Sequence, residues 1–267
     1  MSRKEEDPQL AKKVEPQSRH LRIELIGPIA SGKSTFAGLL GERWGVKPIP
    51  ENFEGNPHLD PFYNSGEPQK YALASQMWFL LAKISQMKVC EGEFTEIFET
   101  GLKMDNLFSE TLFKMDVLDS REIQLYREIS KALEENAGIY PSDLHIVLNA
   151  PADILFERVK ERGRGLESGV TQEYLGHLSA SVSEWVLQNR GRFNILEIDS
   201  NYYNFARPDE VQGELLSRIE STLAQMLTGR GIGSDGKKLI LPSFTPAPRM
   251  AGYDLPPGLP PKQKVFQ

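Results

Sequence analysis

The segment from Gly27 to Ser34 reads GPIASGKS and constrains the fold more than any other feature of the chain. It satisfies the P-loop pattern, in which a glycine is followed, after four residues, by glycine, lysine and serine or threonine. An apolar stretch at 21–26 precedes the segment and a helical pattern follows it, which is the context that a P-loop requires. The sequence therefore predicts a strand, a phosphate-binding loop and a helix in succession.

This loop predicts a site for a nucleoside triphosphate, and we expect ATP with Mg²⁺. Its inward-pointing N–H groups and the positive end of the next helix attract phosphate oxygens. Lys33 is expected to reach the β- and γ-phosphates as a catalytic group, and the Ser34 hydroxyl is expected to bind Mg²⁺. The expected contacts of the nucleotide in this segment are Gly27, Ala30, Ser31, Gly32, Lys33, Ser34 and Thr35.

Strand-like and helical patterns alternate through the middle of the chain. The strand-like runs lie at 21–26, 46–49, 94–98, 144–148 and 194–198. Such alternation predicts an α/β fold, with a five-stranded parallel sheet that helices cover on both faces. Ligands of these sheets bind beyond the carboxyl ends of the strands, so the functional residues are expected just after each strand.

Composition divides the chain into three zones. Residues 1–19 are predicted to form a flexible tail, and residues 20–228 a single domain. Residues 229–267 are rich in glycine and proline, which favour neither helices nor sheet ladders. This last zone is predicted to be either disordered or an extended arm that docks on a protein partner.

Charge and hydropathy exclude several classes of protein. The net charge of −6 argues against a general nucleic-acid binder, whose affinity depends on neutralising phosphates. No segment approaches the roughly 18 apolar residues of a membrane helix, and the polar first twenty residues do not resemble a signal peptide. The one cysteine, Cys90, excludes an internal disulfide. We therefore expect a cytoplasmic protein that binds neither nucleic acid nor membrane.

Four further motifs, in the same order, resemble those of the deoxyribonucleoside kinase family. They are NPHLDPFY at 56–63, YALASQMWFLL at 71–81, ERVKERGR at 157–164 with the residues up to 175, and the stretch 198–205. The resemblance spans roughly residues 21 to 227. It implies the P-loop kinase fold, in which a helical lid closes over the phosphates.

The resemblance implies roles for four residues on the acceptor side. Glu51 follows the second predicted strand and would be the catalytic base for the nucleoside 5′-hydroxyl. Tyr63 and Glu167 would bind the 3′-hydroxyl. Gln76 would pair with the nucleobase edge, because its amide offers both a donor and an acceptor.

The resemblance also implies a set of arginines on the lid. Arg158 and Arg162 lie one helical turn apart and share a face, and both would close over the transferring phosphoryl group as catalytic groups. Arg164 would bind the nucleotide beside them. Asn204 and Phe205 would belong to the loop that contacts the ATP base.

Lys83 and Asp105 occupy positions where the family resemblance implies an arginine and an aspartate that pair near the base. A Lys83–Asp105 pair would bind adenine, guanine or cytosine deoxynucleosides in preference to thymidine. This interpretation is a hypothesis about substrate class.

The chain departs from the family pattern after the third predicted strand, where an acidic residue should be followed by Arg-Ser. Here the sequence is Glu99-Thr100-Gly101. Glu99 is retained and is expected to support Mg²⁺. Loss of one positive donor beside a reacting phosphoryl group can cost on the order of 10²–10³ in rate. Lys103 offers a replacement charge, without the fork of an arginine.

Three interpretations remain open from the sequence. The first is an active kinase that converts deoxynucleosides to monophosphates for nucleotide salvage. The second is a kinase-fold subunit or scaffold of a larger complex that retains ATP, and the absent arginine and the long tail favour it. The third, a nucleoside monophosphate kinase, is weaker because Tyr63, Gln76 and Glu167 suit an uncharged sugar and base. A homodimer through 69–87 or 119–135 is also expected.

Overall fold

The computed structural model describes residues 18–90, 94–203, 205, 210–229 and 238–240. Its strands are β1 (Ser18–His20), β2 (Arg22–Ile26), β3 (Glu96–Phe98), β4 (Leu144–Asn149), β5 (Ile195–Asp199) and β6 (Lys238–Ile240). Its α-helices are α1 (Lys33–Trp44), α2 (Leu59–Asn64), α3 (Ala72–Cys90), α4 (Leu102–Lys114), α5 (Ser120–Asn136), α6 (Ala152–Arg162), α7 (Gln172–Asn189) and α8 (Glu210–Gly229). Within these ranges no helix is both long enough and apolar enough to cross a membrane.

The main sheet has four parallel strands in the order β3-β2-β4-β5. Every residue of β2 is buried, as expected for the central strand of a sheet covered on both faces. Side chains such as Leu25 and Ile146 pack against α1 and α8 on one face. Ile26 and Val147 pack against α4 and α7 on the other face. The α/β fold with helices on both faces is therefore confirmed.

The prediction of five strands in this sheet is wrong, because the segment 46–49 contributes a single residue. The Ile49 N–H donates to the Ile97 carbonyl at 2.8 Å, and the Glu99 N–H donates to the Ile49 carbonyl at 3.0 Å. Pro48 and Pro50 lie on either side of Ile49. Each proline fixes φ near −65°, away from the roughly −120° of a parallel strand, so the pairing stops after one bridge.

A second, two-stranded sheet corrects two predictions about the chain ends. β1 pairs in parallel with β6, with Ser18 opposite Lys238 and His20 opposite Ile240. Residues 18 and 19 therefore do not belong to a flexible tail, and the Gly/Pro-rich zone does form a short sheet ladder. The reason is local, because Lys238-Leu239-Ile240 contains neither glycine nor proline and includes a β-branched residue. Residues 1–17 and 241–267 lie outside the described residues.

Arg22 forms a buried polar network on the face of the sheet that α4 covers. Its Nε donates to the Glu96 carboxylate, one NH donates to the Tyr140 carbonyl at 2.9 Å, and the other donates to the Met87 carbonyl at 3.0 Å. The Tyr140 hydroxyl donates to the same carboxylate at 2.9 Å. Both charges of this network, on Arg22 and on Glu96, therefore have hydrogen-bond partners, as burial requires.

The two helices predicted to form a homodimer interface each expose an apolar side chain. Leu81 of α3 is 54% exposed and Leu125 of α5 is 46% exposed. Single exposed leucines are ordinary on protein surfaces. The homodimer and the cytoplasmic location therefore stay predictions.

Candidate active site

The P-loop follows β2 and has the tight backbone that its glycines predict. A Cβ atom on Gly27 would lie 2.2 Å from the Leu148 carbonyl oxygen and 2.6 Å from Ser31 Oγ, so no other residue fits there. Gly32 has φ of 92° and Ala30 has φ of 63°, both in the left-handed region. Left-handed backbone at a non-glycine residue is typical of strained functional loops. The Ser31 hydroxyl is buried and finds no partner among the described residues, so it is available to a phosphate oxygen.

Lys33 begins α1 and turns back over the loop. Its Nζ donates to the carbonyl oxygens of Gly27 at 2.7 Å and Pro28 at 2.8 Å. Burial lowers the pKa of Lys33 to about 8, although the negative charge of Glu51 opposes that shift. The ammonium therefore lies over the loop at the point where phosphate would bind.

Ser34 and Glu99 are brought together across the sheet, as the metal prediction requires. The Ser34 hydroxyl donates to Glu99 Oε2 at 2.9 Å. Both groups supply oxygen atoms, which Mg²⁺ prefers over nitrogen and sulfur. No group of three His, Cys, Asp or Glu side chains in the described ranges could hold a metal ion by itself. This pair therefore fits an ion that also binds phosphate oxygens and water.

A cavity of about 730 Å³ opens at the carboxyl ends of the strands, where the fold predicts the site. Its wall combines the phosphate loop, the lid and the acceptor residues. The predicted site residues on this wall are Ala30, Ser31, Gly32, Lys33, Ser34, Thr35, Glu51, Tyr63, Gln76, Glu99, Arg158, Arg162, Arg164, Glu167 and Phe205. Phe205 also packs against the loop, because a Cβ on Gly32 would lie 2.9 Å from its ring.

The lid arginines are held by partners on the cavity wall. Arg162 Nε donates to Glu167 Oε2 at 2.7 Å, and Arg164 lies 3.6 Å from the same carboxylate. The Arg164 guanidinium also lies 4.7 Å from the centroid of the Phe53 ring. Arg158 donates to the Ser200 carbonyl at 2.7 Å, in the loop after β5. These arginines are thus joined both to Glu167, the carboxylate predicted to bind the sugar, and to the loop after β5.

The predicted sugar end contains a tyrosine pair of which the sequence indicated only one member. The Tyr63 hydroxyl of α2 forms a hydrogen bond with Tyr174 of α7, and their ring centroids lie 6.5 Å apart. Burial raises the pKa of Tyr63, and the charges of Glu167 and Glu51 add to the shift. Both hydroxyls therefore stay protonated, and the one whose proton is not used in the bond between them can donate to a ligand.

At the predicted base end of the cavity, a polar side chain lies among aromatic side chains. Gln76 is buried, and its Oε1 accepts a hydrogen bond from Ser109 Oγ at 3.3 Å. Phe79 and Phe108 line the cavity beside it. Sequence reasoning missed both rings, although Phe79 lies three residues after Gln76 and so shares its helix face. Flat aromatic side chains beside an amide suit a nucleobase.

Lys83 and Asp105 are buried but lie outside the cavity wall. Lys83 Nζ donates to Gln86 Oε1 at 3.3 Å. Asp105 Oδ2 has no hydrogen-bond partner among the described residues. Burial raises the pKa of Asp105 to about 8, and the Lys83 charge only partly offsets it. The two side chains therefore interact through space, without the direct pair that the sequence predicted.

Two other described residues of the predicted set, Gly27 and Lys103, are also not part of the cavity wall. The Lys103 ammonium lies 3.3 Å from the Glu134 carboxylate of α5. The Lys103 charge is thus paired with Glu134, and its partial substitution for the absent arginine stays a prediction. Asn204 lies outside the described residues.

Comparison with known proteins agrees with this geometry. The family model for deoxynucleoside kinase matches residues 23–224. The chain belongs to the deoxynucleoside kinase family. It is 26% identical to a deoxyguanosine kinase of Lactobacillus acidophilus over 211 residues, covering 76% of this chain and 91% of the relative. It is 25% identical to a deoxyadenosine kinase of the same bacterium, covering 76% and 97%.

Solved structures of this family have the same fold. A deoxyadenosine kinase from M. mycoides with dCMP and dCDP bound aligns with a TM-score of 0.66, 22% identity and coverage of 77% of this chain and 100% of that chain. The same enzyme with dATP bound also gives a TM-score of 0.66, at 23% identity, covering 76% of this chain and 100% of that one. The family assignment confirms the predicted resemblance and makes the chain a deoxynucleoside kinase by class, an enzyme rather than a scaffold.

Proposed function

We propose that the chain transfers the γ-phosphoryl group of ATP to the 5′-hydroxyl of a deoxynucleoside, for nucleotide salvage. The observation that carries this proposal is the single cavity, which has a phosphate loop at one end and Tyr63 and Gln76 at the other. The charge of Glu51 acts on Lys33 at the phosphate end and on Tyr63 at the sugar end. A base within reach of both ends is what transfer between two bound substrates requires.

In this proposal each end of the cavity supplies one part of the reaction. The Glu51 carboxylate accepts the proton of the attacking hydroxyl. Lys33, with Arg158 and Arg162 from the lid, stabilises the negative charge that develops on the transferring phosphoryl group. Mg²⁺ held by Ser34 and Glu99 would supply further charge neutralisation there. Closure of the lid excludes water from the phosphoryl group.

The proposed substrate class is a purine deoxynucleoside or deoxycytidine. Gln76 presents a donor and an acceptor between aromatic rings, which suits the edge of a flat base. Lys83 and Asp105 lie outside the cavity wall and would act on the base through the polar side chains that line it. Asp105 is mostly protonated at pH 7, because burial raises its pKa to about 8, so it can donate as well as accept.

Incubation of the purified protein with Mg²⁺, γ-labelled ATP and one deoxynucleoside at a time tests the proposal. Thin-layer chromatography should show labelled monophosphate from deoxyadenosine, deoxyguanosine or deoxycytidine, and little from thymidine. The Glu51→Gln variant is the matched control, because it keeps the shape of the side chain and removes the base. ATP binding without transfer to any nucleoside would contradict the proposed activity. A preference for thymidine would contradict only the proposed substrate class.

A further inference from the structure

Glu24 is a buried carboxylate in the central strand of the sheet. It lies in the middle of β2, is 3% exposed and faces α4, on the side of the sheet opposite to Leu25. Its register partner on β4 is His145, whose Nε2 lies 3.8 Å from Glu24 Oε2. That oxygen has no hydrogen-bond partner in the part of the chain that the structure describes. A buried carboxylate is costly when its oxygens lack donors, so its retention requires an explanation.

The Glu24 side chain lies directly against Gly101. A Cβ atom on Gly101 would lie 2.1 Å from Glu24 Cδ and 2.3 Å from Glu24 Oε2. Gly101 itself has φ of −107° and ψ of 179°, which any residue can adopt. Glu24, and not the backbone, therefore excludes a side chain at this position. Gly101 is also the N-cap of α4, where a negative charge is favourable because the helix dipole is positive there.

Gly101 ends the turn that carries two cavity residues. Glu99 accepts the Ser34 hydrogen bond, and Thr100 is 1% exposed and lines the cavity. The Thr100 hydroxyl finds no partner among the described residues. This is the turn where the family pattern has Arg-Ser in place of Thr100-Gly101. A serine at 101 would overlap Glu24, so the Glu24 side chain is incompatible with the Arg-Ser of the family pattern at this turn.

We propose that Glu24 is a positioning residue, whose carboxylate packs against Gly101 and fixes the turn that presents Glu99 and Thr100 to the cavity. In this chain, the Glu24 side chain packed against the turn replaces the side chains that the family pattern places on the turn itself. The inference rests on the proposed function, because Glu99 is assigned there to the Mg²⁺-bound nucleotide. Its physical basis is the close contact between Glu24 and Gly101.

A double-mutant cycle of Glu24→Ala and Gly101→Ala tests this contact. ATP binding is measured by calorimetry with and without Mg²⁺, and steady-state transfer is measured in parallel. Mg²⁺ raises the affinity for ATP, and Gly101→Ala should make this increase about tenfold smaller. An effect of that size is within the usual range of coupling between neighbouring residues. The same variant should lower kcat by about 10²-fold, because small displacements of a reacting group are costly, and leave KM for the nucleoside unchanged.

The double variant should recover about tenfold of the loss in kcat, because the added methyl group then occupies the space that the carboxylate leaves. If the effects of the two single changes simply add, the inference is overturned. Thr111→Val, which removes a buried hydroxyl from the same helix away from the turn, is the control. It should lower Tm and leave the Mg²⁺ response unchanged.

Glu24→Gln keeps the test decisive if Gly101→Ala does not fold. The amide preserves the packing against Gly101, so this variant should retain the Mg²⁺ response that Glu24→Ala loses. Equal loss in both variants, or no loss in either, would contradict a positioning role through packing. A wild-type protein that transfers no phosphoryl group would instead refute the proposed function, and the binding cycle would still report on the contact.

Discussion

At the phosphate end of the cavity one loop of consecutive residues supplies the backbone contacts, with the lid arginines and Glu99 beside it, whereas the sugar and base ends draw their side chains from four helices. Tyr63 lies on α2, Gln76 on α3, Phe108 on α4 and Tyr174 on α7. The loop is fixed by its own backbone, including the close approach of Gly27 to Leu148 of the neighbouring strand β4. The sugar and base ends together depend on how four helices pack, so changes far from the ligand can alter them.

This contrast predicts that binding at the two ends can be lost separately, and that Glu51 serves both. Glu51→Gln should lower kcat by about 10²–10⁴, the usual contribution of a general base. ATP affinity should remain close to that of the wild type. Single-turnover transfer and calorimetry measure the two quantities, and a variant that retains wild-type kcat would remove Glu51 from the mechanism.

Lys33→Met is expected to damage the phosphate end alone. It should lower kcat by about 10²–10³ and weaken ATP binding, because one donor to the phosphates is lost. The affinity for the deoxynucleoside, measured without ATP, should not change. Equal weakening of both substrates would contradict the separation of the two ends.

The same lysine predicts a pH dependence of ATP binding. Its folded pKa is about 8, and phosphate oxygens favour the protonated form, so ATP affinity should fall as pH rises from 7 to 9. Lys33→Arg keeps its charge over this range and should bind ATP with no such decline. Titration calorimetry at pH 7, 8 and 9 compares the two proteins.

Gln76→Leu is expected to damage the base end alone. It leaves polar atoms of the base without partners, at about 1–3 kcal/mol, so kcat/KM for the preferred deoxynucleoside should fall about 5- to 150-fold. ATP affinity should be unaffected. Met77→Leu, at the neighbouring position on α3, is the control and should leave kcat/KM near the wild-type value. A Gln76→Leu variant with unchanged preference among the four deoxynucleosides would show that other groups read the base.

The smallest effect is expected behind the base end, from Asp105→Asn. Folding raises the pKa of Asp105 to about 8, so between pH 4 and pH 8 the folded chain keeps a proton that the unfolded chain releases. Stability therefore falls as pH rises through this range, and the amide avoids that loss. Asp105→Asn should raise Tm by several degrees at pH 8, at about 2–4 °C per kcal/mol, and by less at pH 5. Scanning calorimetry of this variant and of exposed Asp153→Asn would show a difference that is absent from the control.

The same contrast explains how much the sequence could predict. The phosphate loop, the strands at 21–26 and 144–148 and most helices follow from local patterns, and the structure has them within a few residues. The Tyr63 and Gln76 positions rested on a family resemblance, since no local pattern marks a base pocket. The rings of Phe79 and Phe108 were missed, because an aromatic residue on a helix looks the same whether it faces a core or a cavity.

The failed predictions have local and long-range causes. A strand at 46–49 was expected from its apolar residues, but two prolines limit it to one bridge. Direct pairing of Lys83 with Asp105 depends on the rotation of two helices, which sequence spacing does not determine. The contact of Glu24 with Gly101 likewise joins residues that are 77 positions apart in the chain.

The ion pair between Arg162 and Glu167 has a consequence for how each substrate changes the affinity for the other. In the proposed roles, the deoxynucleoside binds the Glu167 carboxylate and ATP binds the Arg162 guanidinium. Binding of either ligand must therefore separate the two side chains. The first substrate then bears the whole free-energy cost of separation, and the second binds to a partner already released. Linkage requires that each substrate raises the affinity for the other by the same factor. The ion pair thus favours the ternary complex over either binary one.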